Sequence, residues 1–155
     1  MYKNILVPVD GSETAHSGLA EAIRLAKALG SAIRLVYVLD ESRAMYPNLG
    51  GELLQQLVDQ LRRAGESILI EATATARSGG VDTSSRLIDS LGTPVGESVV
   101  AAAAEWPADL IVCGTHGRRG VRRLVMGSDA EYIVRHSAVP VLLIRAQQAG
   151  AGRTR

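Results

Sequence analysis

The residues best suited to chemistry lie in one stretch: Gly114-Thr115-His116-Gly117, nine intervening residues, then Gly127-Ser128. Gly114 and Gly117 let a backbone turn tightly and approach a ligand without Cβ interference. Gly127-Ser128 precedes a helix-like segment, where free backbone N–H groups and the helix dipole favour an anion. Two glycine-bearing segments meeting at one crevice suit a triphosphate. The same residues also fit a plainer reading, in which the glycines serve turns and Ser128-Asp129-Ala130-Glu131 is a capping box. Asp129 and Glu131 add negative charge, which opposes an anion there.

Other reactive types in the region read more simply. His116 has no carboxylate or histidine nearby in sequence to make it a base or a metal ligand, so a polar contact is expected. Cys113 falls inside an apolar run and reads as a small buried hydrophobe. Trp106, before Pro107, reads as a packing residue at a helix end. Arg118, Arg119, Arg122 and Arg123 crowd the nine-residue insert. They are either a solvated loop or partners for phosphate, to which guanidinium groups pair well. A Gly-x4-Gly-Lys-Ser/Thr loop and a Gly-x-Gly-x2-Gly fingerprint are both missing. So are a carboxylate cluster for magnesium and a base placed for water attack, which counts against an ATPase or nucleotidyl-transfer enzyme.

These segments need a scaffold, and the chain alternates between strand and helix patterns. Ile5–Val9 is a buried strand ending at Asp10-Gly11, and Ser12 is placed to cap the helix that runs to Gly30. Ile33–Leu39 is a second strand, followed by a loop over Asp40–Gly51. A long amphipathic helix carries Leu54, Leu57, Val58, Leu61, Ile68 and Ala72, interrupted at Gly65 and closed by Gly79-Gly80. Thr83–Ser90 alternates irregularly, as an edge strand can. Thr93-Pro94 opens a helix that Pro107 ends, with Pro in its first turn. Asp109–Cys113, Ser128–His136 and Val139–Ile144 complete a strand, a helix and a fifth strand. Such alternation implies a parallel sheet with helices on both faces, whose ligand crevice lies beyond the strands' carboxyl ends. The loops after strands one, two and four are the ones expected to matter. A phosphorylation receiver domain shares the alternation but needs an acidic pair after strand one and a Lys after strand five. Here Asp10-Gly11 and Arg145 stand there.

At 155 residues the chain fits one domain, expected over residues 1–146, with a polar tail over 147–155 expected to be disordered. Phe is absent and Trp106 is the only tryptophan, so Val, Leu, Ile and Ala must build the core. Seventeen basic against sixteen acidic side chains leave a net charge of +1, which argues against general binding to nucleic acid or an acidic membrane. Met1-Tyr2-Lys3-Asn4 runs straight into a strand without a signal-peptide layout. No apolar stretch is long enough to span a bilayer. A single cysteine precludes an internal disulfide and fits a reducing compartment. A cytoplasmic location is expected.

The pattern Gly114-x2-Gly117-x9-Gly127-Ser128 resembles the ATP-binding signature of the universal stress protein family. So do the opening Ile5-Leu6-Val7-Pro8-Val9-Asp10-Gly11-Ser12 and the closing Val139-Pro140-Val141-Leu142-Leu143-Ile144, and the likeness covers residues 2 to 145 in order. The resemblance implies an α/β fold with a doubly wound five-stranded parallel sheet, Rossmann-like and of the adenine nucleotide alpha hydrolase type. It implies a regulatory module of the stress response that binds ATP, or a related adenine nucleotide, with any Mg2+ carried by the nucleotide. Asp10 would face the ribose and adenine end, with Pro8 and Val9 forming pocket wall and the Val38 backbone contacting adenine. Gly114, His116 and Gly117 would approach ribose and phosphates. Gly127 and Ser128 would hold the phosphates, with Asp129 standing where the family often has a small apolar residue. The resemblance also implies a homodimer paired through Val139–Ile144. The alternatives are a slow ATPase and a dimeric stress protein that binds no nucleotide.

Overall fold

A computed structural model describes residues 1–41, 50–116 and 126–145. Nine elements follow in strict alternation: β1 (Asn4–Pro8), α1 (Glu13–Leu29), β2 (Ala32–Leu39), α2 (Gly51–Ser78), β3 (Thr83–Asp89), α3 (Val95–Glu105), β4 (Leu110–Gly114), α4 (Ser128–His136) and β5 (Val141–Ile144). The strands form one sheet in the order β3-β2-β1-β4-β5, with every neighbouring pair parallel. Winding therefore reverses between β1 and β4, where Ile5 pairs with Leu110 and Leu6 with Ile111. That reversal opens a crevice at the carboxyl ends of the two strands.

The period-two geometry of a strand divides the core in two. Ile5, Val7 and Val9 point with Ile33, Leu35 and Val112 toward Leu19, Ala22 and Ala26 of α1 and Leu69, Ala72 and Ala76 of α2. Leu6, Val36, Ile111 and Cys113 point to the opposite face, against Val99, Ala102 and Ala103 of α3 and Ile133 of α4. A strand buried on both sides reads as a continuous apolar run, which is why β1 and β4 are plain in the sequence. β3 lies at one edge with most of its side chains at least partly exposed, so its irregular pattern has the expected cause. β5 forms the other edge, and all of its residues are only partly buried.

Local signals behave as their chemistry dictates, with three departures. Ser12 caps α1, its Oγ accepting from the Ala15 N–H at 3.2 Å. Gly30 ends α1 in the left-handed region at φ 67°, which favours glycine. The expected capping box at Ser128–Glu131 does not form: Gly127 holds the N-cap position, and no side chain caps α4. Pro94 lies just before α3 at its N-cap rather than in its first turn. Gly65 does not interrupt α2, because its missing Cβ makes room for the Tyr37 ring, whose Cε1 lies 2.5 Å from where a Cβ would stand. β5 begins at Val141, two residues later than expected, as Ser137 Oγ donates to the Val139 carbonyl in the preceding turn.

Candidate functional site

The loops at the reversal point are tied to one another by backbone contacts. Thr115 N–H donates to the Ile144 carbonyl at 2.9 Å, and Gly127 N–H donates to the Thr115 carbonyl at 2.8 Å. The latter returns the chain to the end of β4 after the insert. Thr14 Oγ1, in the first turn of α1, donates to the His116 carbonyl. After β1, the Asp10 carboxylate accepts from the Ser12 N–H at 2.9 Å, an Asx turn that aims α1 back along the sheet.

Together these segments wall a cleft of about 590 Å³, within the usual range for small-molecule sites. Pro8, Val9 and Asp10 come from the end of β1 and Val38 from β2. Gly114 and His116 follow from β4, and Gly127, Ser128 and Asp129 from the start of α4. These residues, from four separate segments, were all expected in one site, and the fold brings them together. Gly117, the four arginines of the insert, most of the loop after Asp40 and the tail all lie outside the described residues.

The two ends of the cleft differ in character. Val9, Val36, Val38, Val95 and Val99 make one region apolar. At α4, the N–H groups of Ser128, Asp129 and Ala130 precede the first intrahelical bond, which Glu131 N–H makes to the Gly127 carbonyl. With no side-chain cap, these donors are presented at the positive end of the helix dipole, where an anion is favoured.

Two expected roles change. Gly114 lines the cleft, but its absent Cβ points elsewhere: a Cβ there would stand 2.8 Å from Thr14 Cβ and Oγ1. The glycine is needed so that α1 can pack on β4. Asp129 faces a backbone amide, its Oδ1 accepting from Gly96 N–H at 3.0 Å. Its charge is thus partly spent at the start of α3 rather than simply repelling an anion at α4.

His116 shares a hydrogen bond between its Nδ1 and Thr115 Oγ1 at 3.0 Å, while its buried Nε2 has no partner among the described residues. Burial pushes the Cys113 thiol up to about 12, keeping it protonated and inert at neutral pH. Trp106 packs against the second core, and the Arg34 guanidinium lies 4.8 Å over its ring. Among the described residues, no group of three or more His, Cys, Asp or Glu is placed to hold a metal ion. The β3–α3 turn was missed from sequence, yet Gly92, Thr93 and Pro94 line the cleft. Its Gly-Thr-Pro punctuation directly after a strand was the available signal.

A model of the universal stress protein family matches residues 1–145. The chain belongs to that family. A universal stress protein of Methanocaldococcus jannaschii is 32% identical over 146 residues, covering 94% of this chain and 83% of the relative. The solved universal stress protein UspA from Lactobacillus plantarum superposes with a TM-score of 0.81 at 28% identity, covering 93% of this chain and 98% of the other. Two more distant family structures share the fold and were solved with nucleotides. One, from Archaeoglobus fulgidus, is in complex with dAMP (24% identity, TM-score 0.67, 92% and 98% covered). The other is in complex with cAMP (23% identity, TM-score 0.65, 94% and 98% covered). Among the described residues of this family member, no helix is long and apolar enough to cross a membrane.

Proposed function

We propose that this universal stress protein binds an adenine nucleotide, ATP, in the cleft at the β1–β4 reversal, and acts as a regulatory module in the cytoplasm. The observation that carries this reading is the convergence of Pro8, Val9, Asp10, Val38, Gly114, His116, Gly127, Ser128 and Asp129 on one cleft. The apolar walls fit a base, and the uncapped amides at Ser128 and Asp129 fit phosphates. Complexes of more distant relatives with dAMP and cAMP support an adenine ligand. In this reading Asp10 meets the ribose, and magnesium arrives on the nucleotide.

The half-buried edge strand β5 supports a homodimer in which Val141–Ile144 pairs with its copy across a two-fold axis. Turnover is incidental, since binding donors alone leave most of a hydrolytic barrier in place. The deciding experiment is mass spectrometry of ligand released from freshly purified protein, followed by calorimetry with ATP, ADP and AMP. An adenine nucleotide in the released fraction supports the reading. Its absence, together with no heat on titration, would overturn it.

A further inference from the structure

α2 is longer than the sheet it covers. Near its carboxyl end, Arg77 Nη2 donates to the carbonyl of Thr83, the first residue of β3. Further back, Arg62 pairs with Asp89, the last residue of β3. The helix between these contacts rises about 24 Å, matching the roughly 23 Å of the β3 strand. Everything before Arg62 therefore stands beyond the carboxyl edge of the sheet, an arm of about 16 Å. Residues 51–56 on it are all exposed, and the first fully buried α2 residue is Gly65.

The arm is not a polar overhang. Leu54, Leu57, Val58 and Leu61 form a stripe, with Leu54 37% and neighbouring Leu53 58% exposed. Leu61, at its base, lines the cleft. The stripe is symmetric about the midpoint between Leu57 and Val58, with Leu54 matching Leu61 and Leu57 matching Val58, so it reads the same when the helix is reversed. Its flanks at helical spacing are Leu53, Gln55, Gln60 and Arg62, and Asp89 neutralises the last. Glu52, Asp59 and Arg63 fall on the opposite face. A charged partner would find nothing to select here, whereas a second, antiparallel copy meets apolar on apolar with no like charges facing.

The geometry points to this arm as a self-association surface, in which α2 of a second copy of the chain packs antiparallel across a two-fold axis at Leu57-Val58. The contact is isologous and separate from the β5 edge, at the other side of the sheet. It is small for a stable interface, so the association is weak and concentration-dependent.

The test is cross-linking of the full chain with a short bismaleimide, since the one native thiol, Cys113, is buried. Val58→Cys puts a thiol beside its own copy at the axis, whereas Glu52→Cys puts one on the far face. We expect covalent dimer from Val58→Cys, increasing with protein concentration, and little from Glu52→Cys. Adding Leu54→Glu to Val58→Cys should abolish the product while circular dichroism shows the fold intact. Adding Val141→Lys, which addresses β5, should leave the product in place. Equal yields from the two cysteine variants, or a product that survives Leu54→Glu, would overturn the proposal. So would loss of the product on Val141→Lys. If Leu54→Glu lowers the unfolding temperature and Val58→Cys yields no dimer, the stripe is covered by its own chain, which also overturns it.

Discussion

Asp129, in the first turn of α4, caps α3: its Oδ1 accepts from the Gly96 N–H at 3.0 Å, and its own carbonyl lies 2.9 Å from where a Gly96 Cβ would stand. One contact thus joins the starts of the two helices that flank the cleft. Removing the acceptor in Asp129→Ala should cost about 1 kcal/mol of stability, as loss of an N-terminal cap does. Asp129→Asn keeps an acceptor and should cost less, while removing negative charge beside the proposed phosphate donors. We expect urea unfolding to separate the two variants and calorimetry to show tighter ATP binding by the Asn form. Equal destabilisation by both would mean that the charge, not the acceptor, matters at Gly96.

Gly127 has φ −65° and ψ 153°, an extended backbone that a β-branched residue adopts without strain. Gly127→Val should therefore fold normally while placing methyl groups beside the exposed amides of α4. Calorimetry should register loss of ATP binding at unchanged thermal stability. Binding at wild-type affinity would move the phosphates elsewhere.

A lysine on an edge strand discourages pairing with a copy. Val141→Lys should shift the protein toward monomer in light scattering, since Val141 is only half-buried within its own chain. A wild type already monomeric at high concentration would remove the β5 dimer.

Leu91 stands in the left-handed region at φ 48°, beside Gly92 at φ 87°, in a turn closed by the Thr93 N–H donating to the Ser90 carbonyl at 2.8 Å. Its side chain is 81% exposed, so little packing offsets the strained backbone. Leu91→Asn should raise stability by up to about 1 kcal/mol, because Asn tolerates this region without glycine's added freedom when unfolded. The denaturant midpoint should rise with an unchanged slope.

The buried Cys113 thiol, pushed up from 9.0 to about 12, links stability to alkaline pH. Its folded pKa is raised, so below pH 9 the thiol is protonated in both states and contributes no pH dependence. Between 9 and 12 the unfolded chain loses a proton that the folded chain keeps, and stability falls by about 1 kcal/mol per pH unit. Cys113→Ala should flatten that slope relative to wild type in denaturant titrations at pH 8 to 10.

The parts of the fold legible in sequence were those set by local chemistry. A strand buried on both faces announces itself as an apolar run, as at Ile5–Val7. Ser12 and Gly30 act on groups within their own helix turns. What escaped was decided by neighbours far along the chain. Nothing near Asp129 reveals that its acceptor would be used by Gly96, 33 positions away, so Ser128–Glu131 read as a box closed on itself. Gly114 looked like space left for a ligand, when its vacancy holds Thr14. The α2 arm was hidden for another reason: its leucine spacing is the same above the sheet as against it, and only the length of β3 marks where support ends.

The pairing of β1 with β4 has a consequence for how the protein comes to be functional. Lys3 N–H and Asn4 N–H donate to the Asp109 carboxylate at 2.7 and 3.1 Å, and Asn4 and Asp109 are 105 positions apart. Closing so long a loop is entropically costly and slow, and it comes after the more local β1–β2 and β2–β3 pairings have something to build on. The cleft exists only where that seam is shut. A nascent or partly unfolded chain thus has β1 and its Asp10 turn without their opposite wall. A ligand held across the seam stabilises the whole domain by mass action rather than one loop, so occupancy and the lifetime of the folded protein rise and fall together.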